Sequence, residues 1–118
     1  MKMLAIGLAV LATSVPARAE TYRCDFTVKR QCSSDGQCRT LPPVVWATFD
    51  MGTSTYSRCD RNGCDSYRAT VSRSGIFRIL ALPENGLFTK IADDGSAVEV
   101  ASIGTDVLIS YGTCKRSA

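Results

Sequence analysis

Six cysteines and no histidine bound the chemistry open to this chain. Without histidine the commonest general base is missing, and with it the Ser-His-Asp and Cys-His nucleophilic arrangements. The cysteines are Cys24, Cys32, Cys38, Cys59, Cys64 and Cys114. No Cys-x-x-Cys spacing occurs, so neither a zinc knuckle nor a thioredoxin-like redox pair is indicated. The reading is three structural disulfides. Six cysteines allow fifteen pairings, and geometry ranks them. Cys59 and Cys64 flank the turn Asp60-Arg61-Asn62-Gly63, which sets them opposite each other on adjacent strands, with alpha carbons near the roughly 5.5 Å of a common disulfide. Cys32 and Cys38 flank the polar loop Ser33-Ser34-Asp35-Gly36-Gln37. Cys24 is then left for Cys114, joining the first strand to the last.

Carboxylates offer little more. Asp93 and Asp94 are adjacent, as a glycosidase pair would have to be in space, but they precede Gly95 in a turn, where Asp is favoured for backbone reasons. The segment Asp60 to Asp65 resembles a calcium loop only in part: its Gly stands fourth rather than sixth, and no Glu follows at the twelfth place. No catalytic residue, metal or cofactor is expected. One constellation survives, in which Arg58, Arg61, Arg68, Arg73 and Arg78 crowd a short stretch with Tyr56, Tyr67, Ser66, Thr70 and Ser72. Planar arginine forks pair with carboxylates, which suits a recognition face. The competing reading is an ordinary solvated strand face, partly neutralised by Asp60 and Asp65.

The elements that would position these residues repeat in twos. Tyr22, Cys24, Phe26 and Val28 alternate with Arg23, Asp25, Thr27 and Lys29, a strand with one buried face. Further runs follow at 44–50, entered through Pro42-Pro43, and at 53–59 and 64–72 around the Asn62-Gly63 hairpin. Others lie at 76–82, 87–92, 97–103 and 106–113, with turns at Pro83-Glu84-Asn85-Gly86 and Asp93-Asp94-Gly95-Ser96. The result is an all-β chain of about eight short strands without a long helix. An antiparallel meander closed into a barrel is expected, since closure hides both edges; a sandwich is the alternative. Phe26, Trp46, Phe49, Tyr67, Phe77, Ile79, Val98, Val107 and Ile109 are expected to fill it.

Residues 1–19 read as a removable export signal. Lys2 provides the charged start, 4–12 the apolar core, Pro16 the break, and Ala17-Arg18-Ala19 the small residues before cleavage. The apolar run is about half the roughly 20 residues of a membrane span, so no membrane anchor is expected. Removal leaves residues 20–118 as a single domain and takes away Lys2 and Arg18. Of 14 basic and 11 acidic residues, 12 and 11 then remain, a net charge of +1. That balance does not suggest nucleic acid as a partner. An oxidising compartment follows from export and cysteines together, and the short signal suggests a bacterial periplasm or the secreted medium.

Tyr22-Arg23-Cys24-Asp25 opening the first strand, Cys114 ending the last, and Ser72-Arg73-Ser74-Gly75 between them resemble the layout of small periplasmic inhibitors of C-type lysozyme. The resemblance implies an eight-stranded antiparallel barrel. It also implies that a Ser-x-Ser-Gly loop enters a lysozyme cleft, with Ser72 and Ser74 at the matching positions. Ile76-Phe77 stands where that family has Arg or Tyr, its Lys-Gly segment has no counterpart here, and two of the cysteine pairs are additional. The expectation is a non-catalytic, exported binding protein whose partner is another exported protein, with Arg61, Arg68, Ser72, Arg73 and Ser74 as the partner-binding residues. The alternatives are a small-ligand carrier barrel or a structural envelope protein.

Overall fold

The period-two pattern becomes ten antiparallel strands in a computed structural model that describes residues 20–43 and 45–117. The expected export signal, 1–19, and Val44 of the second predicted run lie outside the described residues. The strands are β1 Thr21–Cys32, β2 Cys38–Leu41, β3 Trp46–Asp50, β4 Thr55–Asp60, β5 Gly63–Arg68, β6 Thr70–Ser74, β7 Phe77–Leu82, β8 Leu87–Ala92, β9 Ser96–Ile103 and β10 Asp106–Ser117. They form one sheet in the order β5-β4-β3-β1-β10-β9-β8-β7-β6, nearly closed into a barrel, with β2 pairing β1 beside this path. The run expected as one strand over 64–72 breaks at Ala69, and β2 is additional, so eight becomes ten.

The two ends of the sheet, β5 and β6, are consecutive strands with Ala69 alone between them. Ala69 is buried, and its N–H donates to the Ser54 carbonyl at 2.8 Å. Ser54 presents that carbonyl from the left-handed region, at φ 54°. The chain therefore turns from one edge of the sheet to the other at a pinned bend, and the two halves pair with β4 and β7 respectively.

β1 is the strand around which the rest is arranged. It pairs β10 along its whole length, β3 through 21–25 and β2 through 29–32. A bulge between Phe26 and Val28 shifts its register against β10 and leaves Thr27 without a partner there. Gly112 faces Phe26 at this point, and a Cβ on it would run into the Asp25 carbonyl oxygen and the Phe26 Cα. Only glycine admits so close a backbone approach.

All three expected disulfides form, each between residues directly opposite on paired antiparallel strands: Cys24–Cys114, Cys32–Cys38 and Cys59–Cys64. The alpha carbons stand 3.9, 4.0 and 4.0 Å apart, closer than expected and nearer the narrow type of antiparallel pair than the wide one. Such bonds place the protein in an oxidising, extracytoplasmic setting. No helix among the described residues is long and apolar enough to cross a membrane.

The core differs from expectation. Phe26 and Phe49 are buried, and they pack with Tyr22, Tyr56, Leu80, Leu82, Leu87 and Ile91. Trp46, Phe77, Ile79, Val98, Val107 and Ile109 are only half-buried, and Tyr67 is exposed. On β7, β9 and β10 the structure buries the other phase of the alternation: Leu80 and Leu82, Ala97 and Ala101, and Leu108 turn inward.

Candidate functional site

On β9 the outside of the barrel is more apolar than the inside, and β8 and β10 continue that apolar surface on either side. The inward residues of β9 are Ala97, Glu99 and Ala101, all buried, while Val98 and Val100 point out. Residues directly opposite in an antiparallel ladder share a face, so the pairing gives the outer rows. One row runs Ile79, Lys90, Val98, Tyr111, Val28 from β7 to β1. The next runs Ala81, Phe88, Val100, Ile109, Arg30 over the same five strands. Tyr111 is 50% exposed, Val28 44% and Phe88 38%. Only Lys90 and Arg30 interrupt the apolar surface, and neither has an ion-pair partner among the described residues. The Lys90 ammonium lies 4.7 Å from the centre of the Phe77 ring. The two rows contain no carboxylate.

The inside of the same strands carries a polar layer. Thr89, Glu99, Ser110 and Lys29 are successive cross-strand neighbours from β8 to β1. Tyr56 reaches this layer from β4: its hydroxyl donates to Glu99 Oε2 at 3.0 Å, and the Thr89 hydroxyl donates to the same oxygen at 3.0 Å. Arg58, two residues along β4, brings a guanidinium nitrogen to 3.7 Å from Glu99 Oε1. Burial pushes the Glu99 carboxyl above its usual range, opposed by the Tyr56 and Thr89 hydrogen bonds and by the charges of Arg58 and Lys29. Burial likewise pushes Tyr56 up, reinforced by Glu99, and pulls Lys29 down, reinforced by Arg58. A buried carboxylate persists only where such partners surround it.

A second cluster lies near the start of β1 and the β8–β9 turn. Glu20 accepts from Arg78 at 2.8 Å and from the Tyr22 hydroxyl at 3.0 Å, and Arg78 also donates to Asp93 at 3.2 Å. The Arg78 hydrogen bond, followed by that of Tyr22, holds the Glu20 carboxyl below its usual range. The cluster ties the segment before β1 to β7. Asp94, the other member of the weighed acidic pair, accepts from the Ser96 N–H at 2.8 Å and shapes the turn instead. No group of three potential metal-binding side chains occurs among the described residues.

The five residues expected to bind a partner are spread over the two end strands rather than gathered. Arg61 sits in the β4–β5 turn, Arg68 ends β5 on the edge of a groove with Ala69 and Pro83, and Ser72, Arg73 and Ser74 belong to β6. No hydrogen bond or ion pair joins any two of them. Arg73 lies 3.7 Å from Asp93 with both side chains more than half exposed, a pairing of little energetic weight. Ser72 and Ser74 are exposed next to the Gly75 turn. The outer apolar face was missed by sequence reading, because both phases of β9 and β10 contain apolar residues. Its signal lay in Glu99, Thr89 and Ser110, whose shared phase marks them as one face.

No protein family, curated protein or solved structure matches this chain.

Proposed function

We propose that this is an exported, non-catalytic protein-binding module that docks another exported protein on the outer face of β7, β8, β9, β10 and β1. The observation that carries the reading is that Val98, Val100, Ile109, Tyr111, Val28, Phe88 and Ile79 form two continuous outer rows, while β9 turns its alanines and Glu99 inward. A sheet apolar on both faces is ordinarily covered on both, and a contiguous exposed apolar patch marks an interaction site. Charge selects the occupant. Among the described residues Arg30 and Lys90 have no ion-pair partner, and the two apolar rows offer no carboxylate to a second copy of themselves. The complementary surface is therefore apolar and carries carboxylates opposite these two cations. Periplasm is the compartment proposed, from the short signal-like start of the chain.

The test places a photo-reactive phenylalanine analogue at Tyr111 in the producing cell, identifies the cross-linked protein, and measures its affinity in purified form. Phe88→Ser with Tyr111→Ser weakens binding at least about tenfold, and Arg30→Ala with Lys90→Ala weakens it and flattens its salt dependence. Absence of a cross-linked partner, or a cross-link to a second copy, overturns the reading. The exposed Ser72-Arg73-Ser74-Gly75 segment favours a second reading, as a lysozyme inhibitor. Undiminished C-type lysozyme activity in the presence of excess protein removes it.

A further inference from the structure

The near-closure of the barrel leaves a recess over the polar layer, between β4 and β5 on one side and β7 to β9 on the other. Its volume is about 150 Å3. Tyr56 and Arg58 line it from β4, Leu87 and Ala101 from the opposite strands, and Tyr67 and Ile103 stand at its lips, 36% and 59% exposed. Two exposed apolar side chains thus flank an opening that leads to a buried tyrosine and an arginine.

Arg58 is the informative member. Its side chain is 34% exposed, and its one ion-pair contact among the described residues is the 3.7 Å approach to Glu99, longer than a hydrogen bond. Asp65, opposite Arg58 across the β4–β5 ladder, lies beyond ion-pair distance. The Arg58 guanidinium, which also bears on the Tyr56 hydroxyl, therefore keeps donor capacity toward the recess. The Glu99 oxygen that Arg58 does not approach already accepts two hydrogen bonds. Charge points the same way. Lys29 and Arg58 both act on Glu99, so two cations face one carboxylate and the layer carries an excess positive charge.

We propose that this recess binds a small carboxylate with a compact apolar body. Its carboxylate takes the Arg58 fork in bidentate fashion, and its body lies between Tyr67, Leu87 and Ile103. This site is separate from the outer face and stands or falls without it.

The probe is benzoate, with benzamide as its neutral counterpart, titrated into the oxidised, isotope-labelled protein and followed by backbone amide shifts. The expected result is saturable movement of residues 101–103 and Tyr67, with benzamide at least about tenfold weaker. Arg58→Gln weakens benzoate by a similar factor. Should that variant fail to fold, Ile103→Glu at the exposed lip offers Arg58 an internal carboxylate and competes with benzoate in a folded chain. Equal binding of benzoate and benzamide, shifts centred on Arg30 and Lys90, or no saturable binding overturns the proposal.

Discussion

Removing Cys24–Cys114 should destabilise the protein about twice as much as removing Cys59–Cys64. Each bond joins residues facing each other across an antiparallel ladder. They differ greatly in the loop they close, spanning sequence separations of 90 and 5. In the chain-entropy account, the long loop gives about 4.6 kcal/mol and the short one about 2 kcal/mol. Cys24 is fully buried and Cys114 nearly so, so losing their packing adds to the larger figure. A domain of this size has a total stability of about 5–15 kcal/mol, and the long bond therefore supplies a large share. The assay is urea unfolding of the paired alanine variants, Cys24→Ala with Cys114→Ala against Cys59→Ala with Cys64→Ala. The first pair should also raise the denaturant slope, because the unlinked denatured chain exposes more surface. Equal losses, or a larger loss for the short loop, would refute the loop-entropy reasoning for this barrel.

Gly112→Ala should destabilise by at least about 3 kcal/mol, the upper end of overpacking, because the new methyl meets backbone at the bulge, read by thermal unfolding against the parent protein. Tyr56→Phe should remove about 1–3 kcal/mol by taking one hydrogen bond from the buried Glu99 carboxylate, read by urea unfolding. The two perturbed carboxylates should act in opposite directions with pH. Glu20 is held below its ordinary 4.5, so its contribution is present above that value and is lost as pH falls through the lower folded value; Glu20→Gln should flatten this acid-side loss. Glu99 is raised, so its penalty is absent below 4.5 and grows as pH rises through the folded value; Glu99→Gln should gain on the parent protein over that rise, measured as unfolding midpoints across the pH range.

Local chemistry was legible in the sequence wherever two signals agreed. Tyr22, Cys24 and Phe26 alternate with charged residues, and all three are buried. Asn62-Gly63 announced a hairpin, and the cysteines flanking it had one sensible partner each. The phase of β9 and β10 was not legible, because Val98 and Val100 compete with Ala97 and Ala101 for the inside, and alternation alone cannot choose between two apolar sets. The polar side chains choose: Glu99 finds Tyr56 only within the closed barrel, a contact 43 residues away in sequence. The break at Ala69 was hidden for a related reason, since its cause is the Ser54 carbonyl on a different turn. Arg61 and Arg73 looked like neighbours along the chain, yet they lie on either side of that bend.

The central position of β1 also bears on how the barrel assembles. Within 46–68 and within 70–117 the strands pair as successive hairpins, and β3 and β10 also pair with β1. The hairpin contacts close short loops and form early. β1 and its short hairpin partner β2 come first from the amino-terminal side, yet β1 must wait for β10, whose partner residues lie up to 96 positions away, Thr21 opposite Ser117. The ladder between the first strand and the last is thus the one with the longest loop to close. Until it forms the two meanders have no ladder joining them, and only their shared bend at Ala69 keeps them in reach of each other.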